Sequence, residues 1–325
     1  MMLYKHNRYW VIFSLAITFA LIPAMIVGCT SPKMSNPLAD ELAATMVPDV
    51  NLDVYLYIDQ GNPTIVPKNL IDSPTDISAD SLAIWGVIND NMYSVGGALT
   101  FTNASDASYI YAQLPQQNDL WEKLSNNIIY FVQGTGGTAV SLISAIASNN
   151  FKQYDNNQAL AEVSLMPNSS TAIPVGIGVI KPTQAALNLL KPYIDTNSAD
   201  TIDSIFNWAK PQIIVIGLYS SQQIDIADIV QKIDTNTLWD ADLGGTVSMK
   251  SSFPGLIFSP IANKYMDNTG YTKASLGDLT VYKVFLDGGN GKTIPVLINV
   301  SGNHVFATIS GQASYANILM TSIAR

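Results

Sequence analysis

The chain has 325 residues, of which 48% are hydrophobic and only 13% are charged. Acidic residues outnumber basic ones by 25 to 16, and the formal net charge is −9, which makes nucleic acid and acidic headgroups poor partners for the chain as a whole. The hydrophobic fraction argues against disorder. The composition therefore indicates a folded protein whose surface is solvated mostly by neutral polar groups.

The N-terminal segment has the order of features found in an export signal. Lys5 and Arg8 come first, and an apolar run begins near Trp10. This run, roughly 18 residues long, ends at Cys29, which is the single cysteine of the chain and directly follows Ile-Val-Gly at 26–28. The pattern resembles the signal peptide of bacterial lipoproteins with its lipobox, and the resemblance covers residues 1–29.

The resemblance implies cleavage between Gly28 and Cys29 and a diacylated Cys29 thiol. The lipid would anchor the mature chain to the cell membrane, facing outside the cytoplasm. Thr30 in place of aspartate favours the outer membrane if the cell has two. An uncleaved signal anchor and a secreted chain with a chance cysteine remain as alternatives, since the apolar run is just long enough to span a bilayer.

The segment after Cys29 is predicted to be a tether. Residues 29–49 are rich in small, polar and proline residues, with one short helix expected at Ala39–Met46. Removal of residues 1–28 leaves 297 residues, a length more usual for two domains than for one. With no cysteine after Cys29, the core alone must stabilise the mature fold.

The polar segment Met166–Thr171 is the best candidate boundary between two lobes, residues 50–167 and residues 168–325. In each lobe a hairpin runs into a helix whose first turn carries Ala-Ser-Tyr, at 107–109 and at 313–315. The shared order of elements suggests a duplicated unit, with coincidence in a chain rich in alanine and serine as the alternative.

Both lobes are expected to be α+β, with antiparallel sheets flanked by helices. Apolar runs and alternating patterns predict these elements in the first lobe: strand Val54–Asp59, the hairpin Leu82–Ile88 with Met92–Phe101, helix Ser105–Leu114, strand Asn127–Gln133 and helix Ala139–Ser148. The same patterns predict these elements in the second lobe: strand Ile173–Ile180, helices Thr183–Ile194 and Asp200–Ala209, strand Ile213–Tyr219, helix Asp225–Ile233, the meander Leu279–Leu286, Thr293–Val300 and His304–Ser310, and helix Ala313–Ala324.

The glycine-rich turn Gly134–Thr138 joins a predicted strand to a predicted helix, where backbone N–H groups can bind an anion. It is not a P-loop, because Ala139 and Val140 stand where that motif needs a lysine and a hydroxyl. Its spacing does not fit the dinucleotide fingerprint either. A tight turn with Thr138 as helix N-cap explains it better, and no cofactor is expected.

His304 is the only histidine after the signal segment, so a histidine-rich metal site is excluded. Any Ser-His-Asp arrangement would have to use it. The chain has no Gly-x-Ser-x-Gly elbow, and no acid partner is identifiable for the pair of His304 with the nearby Ser310. His304 begins a strand directly after a turn, where we expect an ordinary exposed polar residue.

Asp240 and Asp242 follow Trp239 and suggest a cation site or a sugar-contact patch with the indole ring as platform. Their spacing does not continue to an EF-hand, and a solvated acid pair in a loop accounts for them. Asp287–Gly291 is better explained as a hairpin loop. No metal is therefore expected. Three other tryptophans fall among apolar residues and are expected in the core: Trp85, Trp121 and Trp208.

The sequence does not identify a specific activity. Acylation of Cys29 is the only specific chemistry it indicates, and no catalytic residue is assigned. We predict a non-catalytic binding or envelope-associated lipoprotein rather than an enzyme. One alternative is a solute-binding receptor of a transporter, which a polar cleft between two lobes would favour. The other is a hydrolase of envelope polymers, which needs paired acids brought together by the fold.

Overall fold

A computed structural model describes residues 37–65, 78–89, 92–114, 120–134, 136–167, 169–190, 206–222, 243–268, 271–287 and 293–323. Gly28 and Cys29 lie outside these residues, together with the rest of the predicted signal segment. So do Trp239, Asp240 and Asp242, the predicted helix at 225–233, and the hairpin loop that follows Asp287. The predictions made for these residues remain predictions.

The described residues contain fourteen strands: β1 (Met46–Pro48), β2 (Val54–Ile65), β3 (Ser78–Asn89), β4 (Met92–Phe101), β5 (Leu120–Ser125), β6 (Ile128–Gly134), β7 (Phe151–Gln153), β8 (Ile173–Ile180), β9 (Pro211–Ser220), β10 (Leu243–Ser251), β11 (Thr272–Leu276), β12 (Leu279–Asp287), β13 (Thr293–Ser301) and β14 (His304–Ser310). They also contain these helices: α1 (Pro37–Ala44), α2 (Ala104–Gln113), α3 (Gly136–Ala147), α4 (Asn157–Val163), α5 (Gln184–Leu190), α6 (Gly255–Asn268) and α7 (Ala313–Ser322), with residues 206–209 also helical.

Most predicted elements are present with small shifts at their ends, and β8 has the predicted bounds. Seven elements were not predicted: β1, β5, β7, α4, β10, α6 and β11. The strand β10 begins Leu-Gly-Gly, which is typical of a loop, and α6 contains Pro260, which normally interrupts a helix. In both, tertiary packing overrides the local preference.

Twelve strands form one antiparallel sheet in the order β11-β12-β13-β14-β10-β9-β8-β2-β3-β4-β6-β5, and β1 pairs with β7 in a second, small sheet. The predicted α+β class with antiparallel sheets is confirmed. Strands on both sides of the proposed lobe boundary belong to the same sheet, because Val54–Tyr57 of β2 pairs with Ile177–Ile180 of β8. The division into two lobes remains a prediction.

Helices cover both faces of the sheet. Successive side chains of a strand point to opposite faces, and in the central strands the side chains on both faces are apolar. In β9, Ile213 and Val215 belong to a core cluster with side chains of α1, α3 and α4. The alternate residues Ile214 and Ile216 belong to a cluster with side chains of α6. The helices α4 and α6 therefore lie on opposite faces of the same strands.

The predicted positions of the tryptophans are confirmed to different degrees. Trp85 is fully buried, whereas Trp121 and Trp208 are half-buried against the two large core clusters. The Ala-Ser-Tyr sequence at 313–315 falls in the first turn of α7, as predicted, whereas the one at 107–109 begins at the fourth residue of α2 and falls in its second turn. Whether they mark a duplication is not tested by their placement, and the duplication remains a prediction.

Candidate functional site

A cleft of about 630 Å³, lined by polar and apolar residues in about equal measure, lies at the ends of central strands of the large sheet. In an antiparallel sheet the start of one strand lies beside the end of its neighbour. The start of β2, the end of β8 and the start of β9 therefore lie next to one another. The strands β1 and β7 pair antiparallel, and residues that follow each of them, such as Asp49 and Tyr154, also belong to the lining. Residues from all five strands consequently line one cleft.

The charged groups of the cleft are nearly balanced, with two lysines and three aspartates. Lys152 Nζ lies 3.2 Å from Asp155 Oδ2 and 3.6 Å from Asp49 Oδ1. Hydrogen bonding to Asp155 raises the pKa of Lys152 and keeps it cationic. Lys181 Nζ donates to Asn51 Oδ1 at 2.7 Å. An ammonium has three donors, so Lys181 retains hydrogen-bonding capacity beyond this contact.

Asp53 fixes the loop that enters β2. Its Oδ2 accepts a hydrogen bond from Ile88 N at 2.8 Å, and its carbonyl oxygen accepts one from Lys181 N at 2.7 Å. Burial raises the pKa of Asp53, against the opposing effects of the Ile88 hydrogen bond and the Lys181 charge. The residue therefore holds the cleft in shape while carrying an incompletely compensated negative charge.

Replacing Asp53 by asparagine is expected to change how stability depends on pH. Because the folded protein binds this proton more tightly than the unfolded chain does, ionisation of Asp53 costs stability above its raised pKa. That cost disappears as the pH falls through the raised pKa to below 3.8. In urea titrations, the free energy of unfolding of Asp53→Asn minus that of the natural chain should therefore be largest at neutral pH. This difference should shrink toward acid pH.

Asp278→Asn is the control, since it removes one negative charge from an exposed turn between β11 and β12. A relative stability of Asp53→Asn that instead rose as the pH fell would show that the carboxylate is favoured, not disfavoured, in the folded state.

Two tyrosines form a buried wall of the cleft. The rings of Tyr55 and Tyr154 lie 4.8 Å apart between centroids, and Tyr55 OH donates to Thr45 Oγ1 at 2.6 Å. Burial raises the pKa of both phenols, so both stay neutral at physiological pH. The wall thus combines aromatic surface with fixed hydroxyl groups.

Side-chain amides form another part of the lining. Gln158 Nε2 donates to Gln212 Oε1 at 2.8 Å, which leaves the Gln212 amide nitrogen and the Gln158 carbonyl oxygen to be satisfied by other groups. Asn156 caps α4 by accepting from Ala159 N at 3.1 Å. These contacts hold amide donors and acceptors at defined positions.

A second polar cluster is buried away from the cleft, beneath α4. Glu162 is only 1% exposed, and its Oε1 lies 2.7 Å from His304 Nε2 and 3.4 Å from Lys250 Nζ. Ser248 Oγ donates to Glu162 Oε2 at 2.9 Å. The expectation that His304 is exposed was therefore wrong, because α4 brings a carboxylate onto it from 142 residues away.

This cluster is not arranged as a catalytic triad. The serine hydroxyl contacts the acid and not the histidine, so no base is placed to activate it as a nucleophile. None of the four residues lines the cleft. The cluster joins α4 to β10 and β14 and is a structural feature.

The glycine-rich turn also differs from its prediction. Helix α3 begins at Gly136, whose φ of +73° suits glycine, so Thr138 lies inside the first turn rather than at the N-cap. The Thr138 hydroxyl lies 2.8 Å from Ser94 Oγ. Residue 135 lies outside the described residues.

Two further findings concern the described part of the chain only. There, no three or more His, Cys, Asp or Glu residues are grouped so that they can hold a metal ion. None of its helices is both long enough and apolar enough to cross a membrane.

No protein-family model matches the chain, and no curated protein matches it significantly. Among solved structures, crystal form III of TP0453 is 10% identical with a TM-score of 0.35, covering 89% of this chain and 100% of that one. Crystal form IV of TP0453 is 10% identical with a TM-score of 0.37, covering 85% and 98%. Scores below 0.5 do not establish a shared fold, and nothing about this chain follows from them.

Proposed function

We propose that the chain is a lipid-anchored protein on the outer side of the cell membrane that binds a small polar solute without transforming it. The cleft is the observation that carries the proposal. Its volume falls within the range of roughly 300–1,000 Å³ found for small-molecule sites. The anchor rests on the lipobox pattern that ends at Cys29.

The lining supports a ligand recognised by hydrogen bonds rather than by net charge. Two lysines and three aspartates nearly cancel, while amides, hydroxyls and the Tyr55–Tyr154 wall offer directional contacts. A sugar or a short peptide presents the matching hydroxyl or amide groups. Lys181 and Gln212 are the side chains best placed to bind it, because each has donors beyond its contact within the cleft.

Binding without catalysis is favoured because the acids of the cleft are already engaged. Asp53 accepts from Ile88 N, and Asp49 and Asp155 share Lys152. A glycosidase-type hydrolase needs one acid to donate a proton and another to act as base or nucleophile. A transporter receptor that closes about a hinge is less favoured than a rigid binding protein, because paired strands run continuously past the cleft.

A thermal-shift screen of sugars, amino acids and short peptides tests this proposal, since a ligand that binds only the folded chain raises its melting temperature. For a compound that does so, Lys181→Met is expected to weaken binding roughly tenfold to a hundredfold, because a charge-assisted hydrogen bond contributes about 1.5–3 kcal/mol. Gln212→Ala should weaken binding less. Calorimetric titration of each variant supplies the dissociation constants.

Lys273→Met is the matched control, since Lys273 pairs with Asp267 on an exposed surface and does not line the cleft. An equal loss of affinity in Lys181→Met and Lys273→Met would place the ligand outside the cleft. A complete screen without any stabilising compound would count against the proposed function.

A further inference from the structure

An apolar face is exposed at the start of α6. Leu256 is 93% exposed, Ile257 55% and Ile261 51%. The neighbouring Phe253, Pro254 and Pro260 are also exposed. No charged residue occurs between residues 251 and 263, so this face, which we call the α6 face, has no charge of its own.

The α6 face is held rigidly in its exposed position. The other side of the helix is buried, with Phe258, Ala262 and Met266 in the core cluster on this side of the sheet. The first turn lies against the β13–β14 turn so closely that a Cβ at Gly255 would come within 2.6 Å of the Gly302 carbonyl carbon. The exposure is therefore a property of the fold.

The shape and size of the α6 face favour a deformable surface, such as that of a lipid bilayer, over a second protein surface. Leu256 projects almost fully from the helix, which makes the face convex. Its six side chains present on the order of 500 Å², below the roughly 800 Å² per partner that a stable protein interface buries. A second copy of this chain would thus gain too little contact from this face alone.

Exposed lysines lie at the rim of the α6 face, although the chain as a whole is acidic, and the one exposed acid on α6, Asp267, is paired with Lys273. Lys264 lies on α6 beyond Ile261 and is exposed. Lys210 is also exposed and is joined to the segment by its carbonyl oxygen, which accepts from Ser252 N at 3.0 Å. An uncharged apolar centre with lysines at its edge matches the order of acyl chains and phosphates at a bilayer surface.

We propose that the α6 face inserts into the bilayer surface as a contact separate from the lipid anchor. Leu256, Ile257 and Ile261 would enter the outer part of the acyl region, and Lys210 and Lys264 would lie near lipid phosphates. The proposal goes beyond the proposed function, since it requires neither a ligand in the cleft nor acylation of Cys29.

The full chain can be tested through a single fluorescent label. Cys29→Ser removes the only natural cysteine, and Ile257→Cys then carries an environment-sensitive dye. The control is the dye at Val140→Cys, an exposed apolar position on α3 at the other face of the sheet. The probe is phosphatidylcholine vesicles with nitroxide-bearing lipids. The apolar N-terminal segment is unchanged in both variants, so only the local environment of the dye differs.

Insertion predicts a shift to shorter emission wavelength and nitroxide quenching at position 257 and neither at position 140. Adding Leu256→Ser and Ile261→Ser should abolish the quenching at position 257. The absence of quenching at position 257, or equal quenching at both positions, would overturn the proposal. A shift that occurs without lipid and grows with protein concentration would overturn it in favour of a second copy of the chain.

Discussion

Replacing Glu162 by leucine is expected to lower the free energy of unfolding by about 3–5 kcal/mol, measured by urea unfolding at neutral pH. The change leaves His304 and Lys250 without the carboxylate that they share, and it removes the acceptor of the Ser248 hydroxyl. His304 is buried, so water cannot fully replace the lost contact. The same substitution at an exposed acid would change stability little.

Two companion variants separate charge from packing. Glu162→Gln keeps the size of the side chain and should cost less than leucine, because its amide can still accept a hydrogen bond. The double variant Glu162→Leu with His304→Leu should cost clearly less than the sum of the single variants, since neither partner is then left buried alone. Additive costs, or a loss below about 1 kcal/mol for Glu162→Leu, would show that the cluster does not act as a unit.

Replacing Cys29 by alanine is expected to abolish acylation and, with it, removal of residues 1–28. A thiol is the side chain that a lipid donor readily alkylates, and alanine offers no nucleophile. Mass spectrometry of the intact chain from the membrane fraction measures both events. The natural chain should begin at Cys29 and carry added acyl mass, whereas Cys29→Ala should carry no acyl mass and retain its first 28 residues.

Thr30→Ala is the matched control and should be acylated and cleaved like the natural chain. Each alternative gives a different mass. A signal anchor predicts a natural chain with residues 1–28 retained and no acyl group. A secreted chain predicts cleavage without acylation. Either result for the natural chain would contradict the lipid anchor.

The parts of the fold that the sequence predicts are those in which neighbours in the chain are neighbours in the sheet. The β3–β4 hairpin and the β12–β13–β14 meander pair across short connections, and alternating apolar residues mark their strands. The pairing of β10 with β9 and β14 joins distant segments, and no local pattern records it. The strand order of the large sheet was therefore beyond reach of the sequence.

The candidate sites show the same limit. Glu162 and His304 are far apart in the chain, and each is unremarkable in its own segment. One clue was present, since Thr246, Ser248 and Lys250 alternate with apolar residues and indicate a polar stripe on one side of a strand. The acid that this stripe meets depends on where α4 packs, which only the assembled fold determines.

The cleft was foreseen only as a possibility for a two-lobed receptor. It lies instead at the ends of β2, β8 and β9, which are central strands of one continuous sheet. The strands β1 and β7 and the residues that follow them complete the lining. Its lysines and amides come from segments with no motif of their own. The lysines and amides of the cleft differ from ordinary surface residues only in their hydrogen bonds to other loops, such as those of Lys181 with Asn51 and of Gln158 with Gln212.

Hydrogen–deuterium exchange with and without a stabilising compound from the screen tests the central claim most directly, because it maps the contact site on the folded chain. The account predicts slower exchange in the segments 49–55, 152–158 and 181–183, which contain most of the residues that line the cleft, and little change in α6. Protection confined to other parts of the chain, or protection at the cleft that persists unchanged in Lys181→Met, would contradict it.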